Sequence, residues 1–297
     1  MSRKRILIIH NPTSGRRSAN LMGAVVTGLT ALGARVDIRV TEYAGHATAL
    51  AAEVTGDSQD CIVAAGGDGT VNEVINGLAR LDVAPPLGIL PLGTANVLAH
   101  ELTLPKSATA LAEILFDGNT QTLYPGRIKG EEQPERLFAQ MAGVGMDARI
   151  VAGVSGPMKR LLGKGAYACE AARQWLKGGL PTYQIDIDGT PHQARSMIIA
   201  NGKLYGGRFV AAPDADISIR GFDILLLEGG RFDMLANTLA LLVNRLSSKS
   251  GVRVVKGRKI TIFGPAGEPV QADGDDMGTL PVTIEAVPDP LMVIGGQ

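Results

Sequence analysis

The sequence has few cysteines, no net charge and no long hydrophobic run. Its two cysteines, Cys61 and Cys169, show neither the spacing of a metal site nor a disulfide framework. The 29 basic side chains balance 29 acidic ones, which argues against a partner bound mainly through charge, such as nucleic acid. The longest apolar stretch, near residues 234–243, is shorter than the roughly 20 residues of a membrane-spanning helix. Because the apolar run 6–9 is also too short for a signal peptide, we expect a cytoplasmic protein.

Glycine is the residue in excess. The chain has 38 glycines among 297 residues, nearly twice the usual share of about 7%. They follow no three-residue period, which excludes a collagen-like chain. With 45% hydrophobic residues, the chain has enough apolar side chains for one large or two medium globular domains.

Short apolar strands alternate with helical stretches over about the first 125 residues. The helical periodicity is clear in Val71, Val74, Ile75 and Leu78, which recur on one helical face. The predicted strands cover residues 5–10, 35–40, 60–65 and 87–90. This alternation predicts a nucleotide-binding α/β domain of residues 1–125, with a parallel sheet and helices on both faces.

The pattern changes after Tyr124. Tyr183, Ile185 and Ile187 alternate with polar residues up to Asp188-Gly189, which is a hairpin-turn signal, and residues 197–200 are the predicted returning strand. Further strands are predicted at 222–227, 252–255 and 259–263, and helices at 167–176 and 232–246. These elements predict a mainly antiparallel β domain of residues 126–297, whose last strand can return to the first domain.

Three glycine-rich loops follow predicted strands of the first domain. Their sequences are Asn11-Pro12-Thr13-Ser14-Gly15, Gly66-Gly67-Asp68-Gly69-Thr70 and Pro91-Leu92-Gly93-Thr94. In an open parallel sheet, ligands bind outside the carboxyl ends of the strands, so the three loops are expected to face one crevice. Glycines expose backbone N–H groups to a phosphate, and Asp68 beside phosphates requires a cation, which suggests Mg²⁺. The alternative is a set of tight turns with Asp68 as a helix cap.

Motifs spread along nearly the whole chain resemble the diacylglycerol kinase catalytic family. This family includes bacterial diacylglycerol kinases, sphingosine kinases and ceramide kinases. In chain order, the motifs are Asn11-Pro12 with Ser14-Gly15, Thr41 with Gly45-His46-Ala47, Gly66 to Thr70 with Asn72-Glu73, Pro91 with Gly93-Thr94 and Asn96, Gly143 to Ala148, Lys159 with Gly163 and Tyr167, Asn201 through Tyr205-Gly206-Gly207 to Ala212-Pro213, and Asp273-Gly274-Asp275.

The resemblance implies an ATP-dependent lipid kinase, with its active site in a cleft between an NAD-kinase-like α/β domain and the β-rich domain. ATP would bind to the first domain together with Mg²⁺, for which Asp68 is the candidate ligand. The nucleotide-binding residues would be Asn11, Pro12, Ser14, Gly15, Thr41, Gly66, Gly67, Asp68, Gly69, Thr70, Asn72, Gly93 and Thr94.

The resemblance also implies a catalytic carboxylate. The family's Asp-Gly-Glu motif supplies the group that takes the proton from the lipid hydroxyl, and it reads Asp273-Gly274-Asp275 here. Either carboxylate could be the base. The shorter side chain at 275 favours Asp273, with Asp275 orienting or assisting.

Diacylglycerol, converted to phosphatidic acid, is the substrate that the resemblance favours. Sphingoid bases, ceramide and phosphatidylglycerol are alternatives. The rival interpretations are an NAD kinase, which shares the Gly-Gly-Asp-Gly loop, and a non-catalytic sensor of lipid or nucleotide. A lipid substrate implies transient contact with the inner face of the membrane, and a homodimer is left open.

Two acidic residues have weaker assignments. By resemblance to sphingosine kinases, Asp147 falls where an acidic residue meets the lipid head group, and a simple turn role fits it comparably. In some family members a second loop binds a structural divalent ion. The Asp-Gly pair of that loop falls on Ile219-Arg220 here, which argues against the site and leaves Asp216 as the nearby carboxylate that could substitute.

Two surface features also have open interpretations. The helical stripe of Phe232, Leu235, Leu239, Leu242 and Leu246 is predicted to pack in the core, with a lipid-facing or membrane-facing surface as the alternative. The basic cluster of residues 159–164 is either a mobile lip that attracts anionic lipid or a solvated face.

Overall fold

The aliphatic runs of the sequence form sheets in two separate units. The computed structural model describes residues 2–14, 16–55, 58–131, 133–154, 170–175 and 179–296. The first unit comprises Met1–Tyr124, Gly206–Arg208 and Asp289–Gln297, and the second comprises Pro125–Tyr205 and Phe209–Pro288. Gly15, Cys169 and the basic cluster 159–164 lie outside the described residues, as do residues 167–169 and 176 of the helix predicted at 167–176.

The first unit is built on a six-stranded, mostly parallel sheet in the order β2-β1-β3-β4-β20-β5. Only the pairing of β5 with β20 is antiparallel among the pairings described for this sheet. Its strands are β1 (Arg5–His10), β2 (Arg35–Val40), β3 (Cys61–Gly66), β4 (Leu87–Pro91), β5 (Thr120–Leu123) and β20 (Leu291–Ile294). Its helices are α1 (Arg16–Ala31), α2 (His46–Ala52), α3 (Asp68–Leu78), α4 (Val97–Glu101) and α5 (Ala108–Asp117).

Both faces of this sheet are covered. Alternate residues of the central strands, such as Ile8 and Val63, pack against Val25 of α1 and Leu111 of α5. The residues between them point to the opposite face and are equally buried, as Ile62 shows. Burial on both faces explains why these strands are continuous hydrophobic runs, and it confirms the predicted α/β architecture of the N-terminal part.

The second unit contains antiparallel sheets, as predicted. One has the strand order β10-β9-β16-β19-β6-β7 and another the order β15-β14-β11-β8-β17-β18. The strands of this unit are β6 (Gly126–Gly130), β7 (Arg136–Phe138), β8 (Met141–Val144), β9 (Tyr183–Ile187), β10 (Thr190–Ala194), β11 (Ser196–Ala200), β12 (Leu204–Tyr205), β13 (Phe209–Val210), β14 (Phe222–Leu227), β15 (Val252–Gly257), β16 (Lys259–Phe263), β17 (Pro269–Ala272), β18 (Asp275–Thr279) and β19 (Val282–Ala286). Its helices are α6 (Met146–Gly153) and α7 (Arg231–Leu242), and residues 170–175 are also helical.

The two six-stranded sheets of the second unit share one hydrophobic core. Phe138 and Tyr183 enter it from the first sheet, and Phe222 and Ile224 enter it from the other. The rings of Phe138 and Phe222 stack with centroids 5.8 Å apart. The apolar residues on the facing sides of the two sheets therefore form the core of a two-layer sandwich.

The hairpin predicted at Asp188-Gly189 returns through a different segment from the expected one. Thr190–Ala194 pairs with β9, whereas β11, the predicted partner, pairs with β14 and β8 in the other sheet. The prediction overlooked β10 because its sequence, Thr-Pro-His-Gln-Ala, is polar. This strand lies at the edge of its sheet, where proline and polar residues are tolerated.

The core role predicted for the apolar stripe of α7 is wrong for most of its residues. Phe232 is 78% exposed, and Leu235, Leu239 and Leu242 are 51%, 56% and 49% exposed. Only Leu246, beyond the end of the helix, is buried within this stripe. No helix in the described part of the chain has the length and hydrophobicity needed to cross a bilayer.

The crossing of α1 and α5 yields a test of the packing in the first unit. A Cβ at Gly28 would lie 2.8 Å from the Cβ of Ala112, whereas a Cβ at Gly23 of the same helix would contact nothing within 4 Å. We expect Gly28→Ala to lower the free energy of unfolding by about 1–2 kcal/mol because the helices must separate. Gly23→Ala should raise it by about 0.5–1 kcal/mol through helix propensity. Urea unfolding measures both, and shifts of the same sign would contradict this packing.

Candidate active site

The three glycine-rich loops of the first unit meet at one edge of the sheet. Parallel pairing aligns His10 with Ala65 and Gly66 with Pro91, so β1, β3 and β4 end together. Hydrogen bonds between backbone groups continue this alignment into the loops. The N–H of Asn11 donates to Ala65 at 2.9 Å, and the N–H of Leu92 donates to Gly66 at 2.9 Å. Thr41, which follows β2, joins the same edge by donating to His10 at 2.9 Å.

Two of these loops are in direct backbone contact. A Cβ at Gly93 would lie 2.5 Å from the Cα of Gly67, so a side chain there would push the loops apart. Gly67 is also the N-cap of α3, whose first turn contains Asp68, Gly69 and Thr70. Free N–H groups at a helix N-terminus beside glycine backbone form a cradle that suits a phosphate group.

Polar side chains tie the loop after β1 to α3. The Asn11 amide donates to the Thr70 hydroxyl at 3.1 Å, and its oxygen accepts the N–H of Thr13 at 3.0 Å. The Ser14 hydroxyl donates back to the Asn11 carbonyl at 2.5 Å, which leaves Pro12 exposed at the turn. Asn72, one turn further along α3, is almost fully buried. Asn11 therefore holds the first loop against the helix that follows the second.

Asp68 links the second and third loops. Its carboxylate accepts the N–H groups of Asn96 at 2.8 Å and Val97 at 2.6 Å, so it caps α4, a different helix from its own. Thr94 lies within the loop that these bonds anchor. Burial raises the pKa of Asp68 above its ordinary range, although the N–H bonds from Val97 and Asn96 oppose this. The cap role and a magnesium role are compatible because each carboxylate oxygen keeps a second lone pair.

Metal ligation by Asp68 stays a prediction. No group of three or more histidine, cysteine, aspartate or glutamate side chains with metal-binding geometry occurs among the described residues. Magnesium in kinases commonly uses one or two carboxylates, with water and substrate phosphates completing its shell. A single carboxylate beside a phosphate cradle fits that donor set.

The loop between β2 and α2 is positioned by a residue without an assigned role in the sequence analysis. The Glu73 carboxylate accepts the N–H groups of Gly45 at 2.9 Å and Ala47 at 3.1 Å. It thereby satisfies amides at the start of α2 from the neighbouring helix α3. Glu73 and the Gly45-His46-Ala47 segment both belong to the motifs of the family, but only the folded structure shows that they are in contact.

In the second unit, Asp273 anchors the turn that precedes β18. Its carboxylate accepts three backbone N–H groups, from Ala139 at 2.7 Å, Gln140 at 2.9 Å and Met141 at 3.1 Å. Its own N–H donates to the carbonyl of Met141 at 2.9 Å. The backbone at Asp273 is left-handed, with φ of 49°. These bonds stabilise the ionised carboxylate and tie the turn to the loop between β7 and β8.

Asp275 has a more open environment. It begins β18, and its side chain is 38% exposed. Its carboxylate pairs with Arg136 at 3.2 Å through one oxygen. Arg136 was not identified from the sequence, because an arginine at the start of a short strand carries no recognisable signal. Asp275 is thus the more accessible carboxylate of this motif.

Asp147 lies in the first turn of α6, in a partly buried polar cluster. It accepts hydrogen bonds from the hydroxyl of Tyr205 and, at 2.5 Å, from the amide of Gln271. Burial raises the pKa of Asp147 above its ordinary range, while both hydrogen bonds oppose the rise. A Cβ at Gly143 would lie 2.5 Å from the Asp147 carboxylate, so this glycine leaves room for it.

Gln271 joins Asp147 to the Asp273-Gly274-Asp275 motif. Its amide nitrogen donates to Asp147, and its oxygen accepts the N–H of Gly274 at 3.0 Å. Gln271 is buried, with 3% of its surface exposed. Sequence reasoning missed it, although a glutamine between the apolar residues Val270 and Ala272 is the kind of signal that marks a buried polar contact.

Asp216, the carboxylate that could substitute in a structural metal site, is hydrogen-bonded within its own loop. The carboxylate of Asp216 accepts the N–H and the hydroxyl of Ser218, at 2.8 and 2.7 Å. The hydroxyl bond contributes most to lowering the pKa of Asp216. Asp223 is buried and pairs with the ammonium group of Lys256 at 3.5 Å. Hydrogen bonds thus compensate the charge of Asp216, and the ammonium group of Lys256 compensates that of Asp223.

Family models match both units of the chain. Residues 5–128 match the diacylglycerol kinase catalytic domain. Residues 140–295 match the YegS C-terminal NAD kinase beta sandwich-like domain. Together these matches cover most of the chain.

Curated relatives support the same family. A diacylglycerol kinase of Bacillus subtilis (strain 168) is 34% identical over 230 residues, which are 76% of this chain and 74% of that protein. A diacylglycerol kinase of Staphylococcus saprophyticus is 27% identical over 283 residues, which are 94% of this chain and 91% of that protein.

Solved structures share the fold. The crystal structure of a diacylglycerol kinase from Bacillus anthracis str. Sterne matches with a TM-score of 0.79 and 23% identity, over 100% of this chain and 98% of that one. A second crystal structure from the same organism matches with a TM-score of 0.84 and 24% identity, over 100% and 96% of the two chains. At this identity the likeness establishes the fold, and the family follows from the sequence matches. The chain belongs to the diacylglycerol kinase family and is a lipid kinase.

Proposed function

We propose that the protein transfers the γ-phosphate of ATP to the hydroxyl group of diacylglycerol and so forms phosphatidic acid. The observation that carries the nucleotide part is the backbone contact between Gly67 and Gly93 beside the N-terminus of α3. The names of the curated relatives support diacylglycerol as the acceptor.

ATP binding would use backbone groups more than side chains. The N–H groups at the start of α3 and the glycines of the neighbouring loops would cradle the phosphates, as the sequence analysis expected. Asn11 and Thr70 would keep the cradle in shape through their mutual hydrogen bond. Mg²⁺, with Asp68 as one ligand, would neutralise the charge that develops on the phosphates.

Asp275 is the better candidate for the base. A general base needs a lone pair that is free to accept the proton of the acceptor hydroxyl. The Asp273 carboxylate already accepts three N–H groups, whereas Asp275 is half-exposed and has one described partner, Arg136. These contacts support Asp275 as the base and Asp273 as the residue that positions it, which reverses the preference drawn from side-chain length.

The two assignments predict different defects. Asp275→Asn should lower kcat by about 10²–10⁴-fold, as expected for loss of a general base, with KM for ATP and stability unchanged. Asp273→Asn should lower the free energy of unfolding by about 1–3 kcal/mol, because an amide cannot accept all three N–H groups. Steady-state kinetics and thermal unfolding measure the two effects.

The neighbouring Asp276 offers a matched control for the base assignment. It is an exposed carboxylate that accepts the N–H of Gly278 at 2.9 Å. Asp276→Asn should retain normal activity and stability. Full turnover by Asp275→Asn would exclude it as the base and return that role to Asp273.

The acceptor can be identified by incubating the protein with γ-labelled ATP, Mg²⁺ and a panel of acceptors in mixed micelles. The panel contains diacylglycerol, sphingosine, ceramide, phosphatidylglycerol and, in solution, NAD. We expect labelled phosphatidic acid as the main product. Labelling of NADP in place of lipid would support the NAD kinase alternative, and no labelled product from any acceptor would support the sensor.

A further inference from the structure

The outward face of α7 is apolar. Phe232, Leu235, Leu239 and Leu242 are about half to three-quarters exposed, and Val243 just after the helix is 64% exposed. Their spacing of three and four residues places them along one stripe. Soluble proteins seldom expose a contiguous apolar patch of this kind unless it contacts an apolar partner.

The inward face of α7 is already used for packing. Met234 and Asn237 are buried, and Leu241 packs against a core cluster that contains Leu225 and Leu246. A surface helix of a globular protein normally combines such an inward face with polar residues outside. Turning α7 about its axis would therefore expose one apolar face while it buried the other.

The only tryptophan of the chain adjoins this stripe. The ring of Trp175 contacts the ring of Phe232 edge to face, with centroids 6.4 Å apart. Tryptophan and phenylalanine beside leucines are typical of helices that lie at a membrane–water interface.

The segment that contains the stripe has a net positive charge. Residues 228–253 contain the basic residues Arg231, Arg245, Lys249 and Arg253 and the acidic residues Glu228 and Asp233. Both acidic groups take part in ion pairs, Asp233 with Lys249 at 3.6 Å and Glu228 with Arg253 at 3.0 Å. The net positive charge beside an apolar stripe complements an anionic lipid surface.

We propose that α7 docks the protein on an anionic bilayer, with its apolar stripe inserted among the lipid acyl chains and its basic neighbours at the head groups. This inference rests on the proposed function, because a kinase for a membrane lipid has to reach its substrate. The stripe alone is small for a stable dimer, whose interface contains about 20 to 30 residues on each side. A bilayer needs only one amphipathic surface.

Flotation with vesicles of phosphatidylcholine containing phosphatidylserine, without ATP or diacylglycerol, tests the docking surface. The intact protein should float with these vesicles and should lose binding as salt is added. Leu235→Ser with Leu239→Ser should weaken binding by about tenfold for each leucine removed. Val83→Ser with Ile219→Ser is the matched control, because these apolar residues are 71% and 64% exposed but lie outside α7. The control should float like the unchanged protein.

Trp175 allows the contact to be located without a substitution. Its fluorescence should shift to shorter wavelength on vesicle binding and should be quenched by brominated lipid. Failure of the intact protein to float, or equal flotation of the two double variants, would overturn the proposal. A dimer that dissociates in the leucine variant while flotation is unchanged would identify a second copy as the partner of α7, and would also overturn it.

Activity separates this proposal from the proposed function. With a short-chain, water-soluble diacylglycerol, the leucine variant should phosphorylate the acceptor at the normal rate, while its rate on vesicle-embedded diacylglycerol falls with its binding. Vesicle binding without phosphorylation of any lipid would leave the docking surface intact and refute the proposed reaction.

Discussion

The close approach of Gly67 to Gly93 is the constraint on which the first unit depends. Because position 93 has no room for a side chain, backbone from two loops lies side by side at the carboxyl edge of the sheet. Asp68 then spans the same two loops by capping α4, and Asn11 joins the third loop to α3. The loop edge that would suit a phosphate is thus made of backbone, and side chains serve to hold that backbone in place.

The second unit uses partly buried carboxylates in the same way. An ionised group is costly to bury unless hydrogen bonds replace its water, and Asp273 receives three from one loop. Asp147 is linked through Gln271 to the N–H of Gly274, so two acidic residues distant in the chain belong to one network. This network holds the backbone on either side of Gly274, and Asp275 follows directly. The family motif consequently combines a positioning carboxylate with a more accessible one.

Helix α7 shows why hydrophobic periodicity alone is ambiguous. The stripe from Phe232 to Leu242 has the spacing of a core-facing helix, yet Met234 and Asn237 occupy the inward face. Moving an apolar side chain out of water lowers the free energy, whether its new surroundings are protein or lipid. A stripe of leucines therefore fits both packing in the protein core and contact with an apolar partner. The packing of the opposite helix face distinguishes the two.

Local pattern was enough to predict the parallel sheet of the first unit, the antiparallel sheets of the second and the order of the family's motifs, because each depends on residues close together in the chain. The partners of Asp68, Asp147 and Asp273 could not be predicted, since each lies 28 or more residues away and hydrogen bonding leaves no periodic trace. The polar edge strand β10 was missed because an edge position permits residues that a central strand excludes. Residue patterns were sufficient to identify the loops and motifs that are candidates for nucleotide and substrate contact. Which carboxylates are bound by backbone and which is more open depends on folding, because distant amides can replace water at the same oxygen atoms only after the chain has folded.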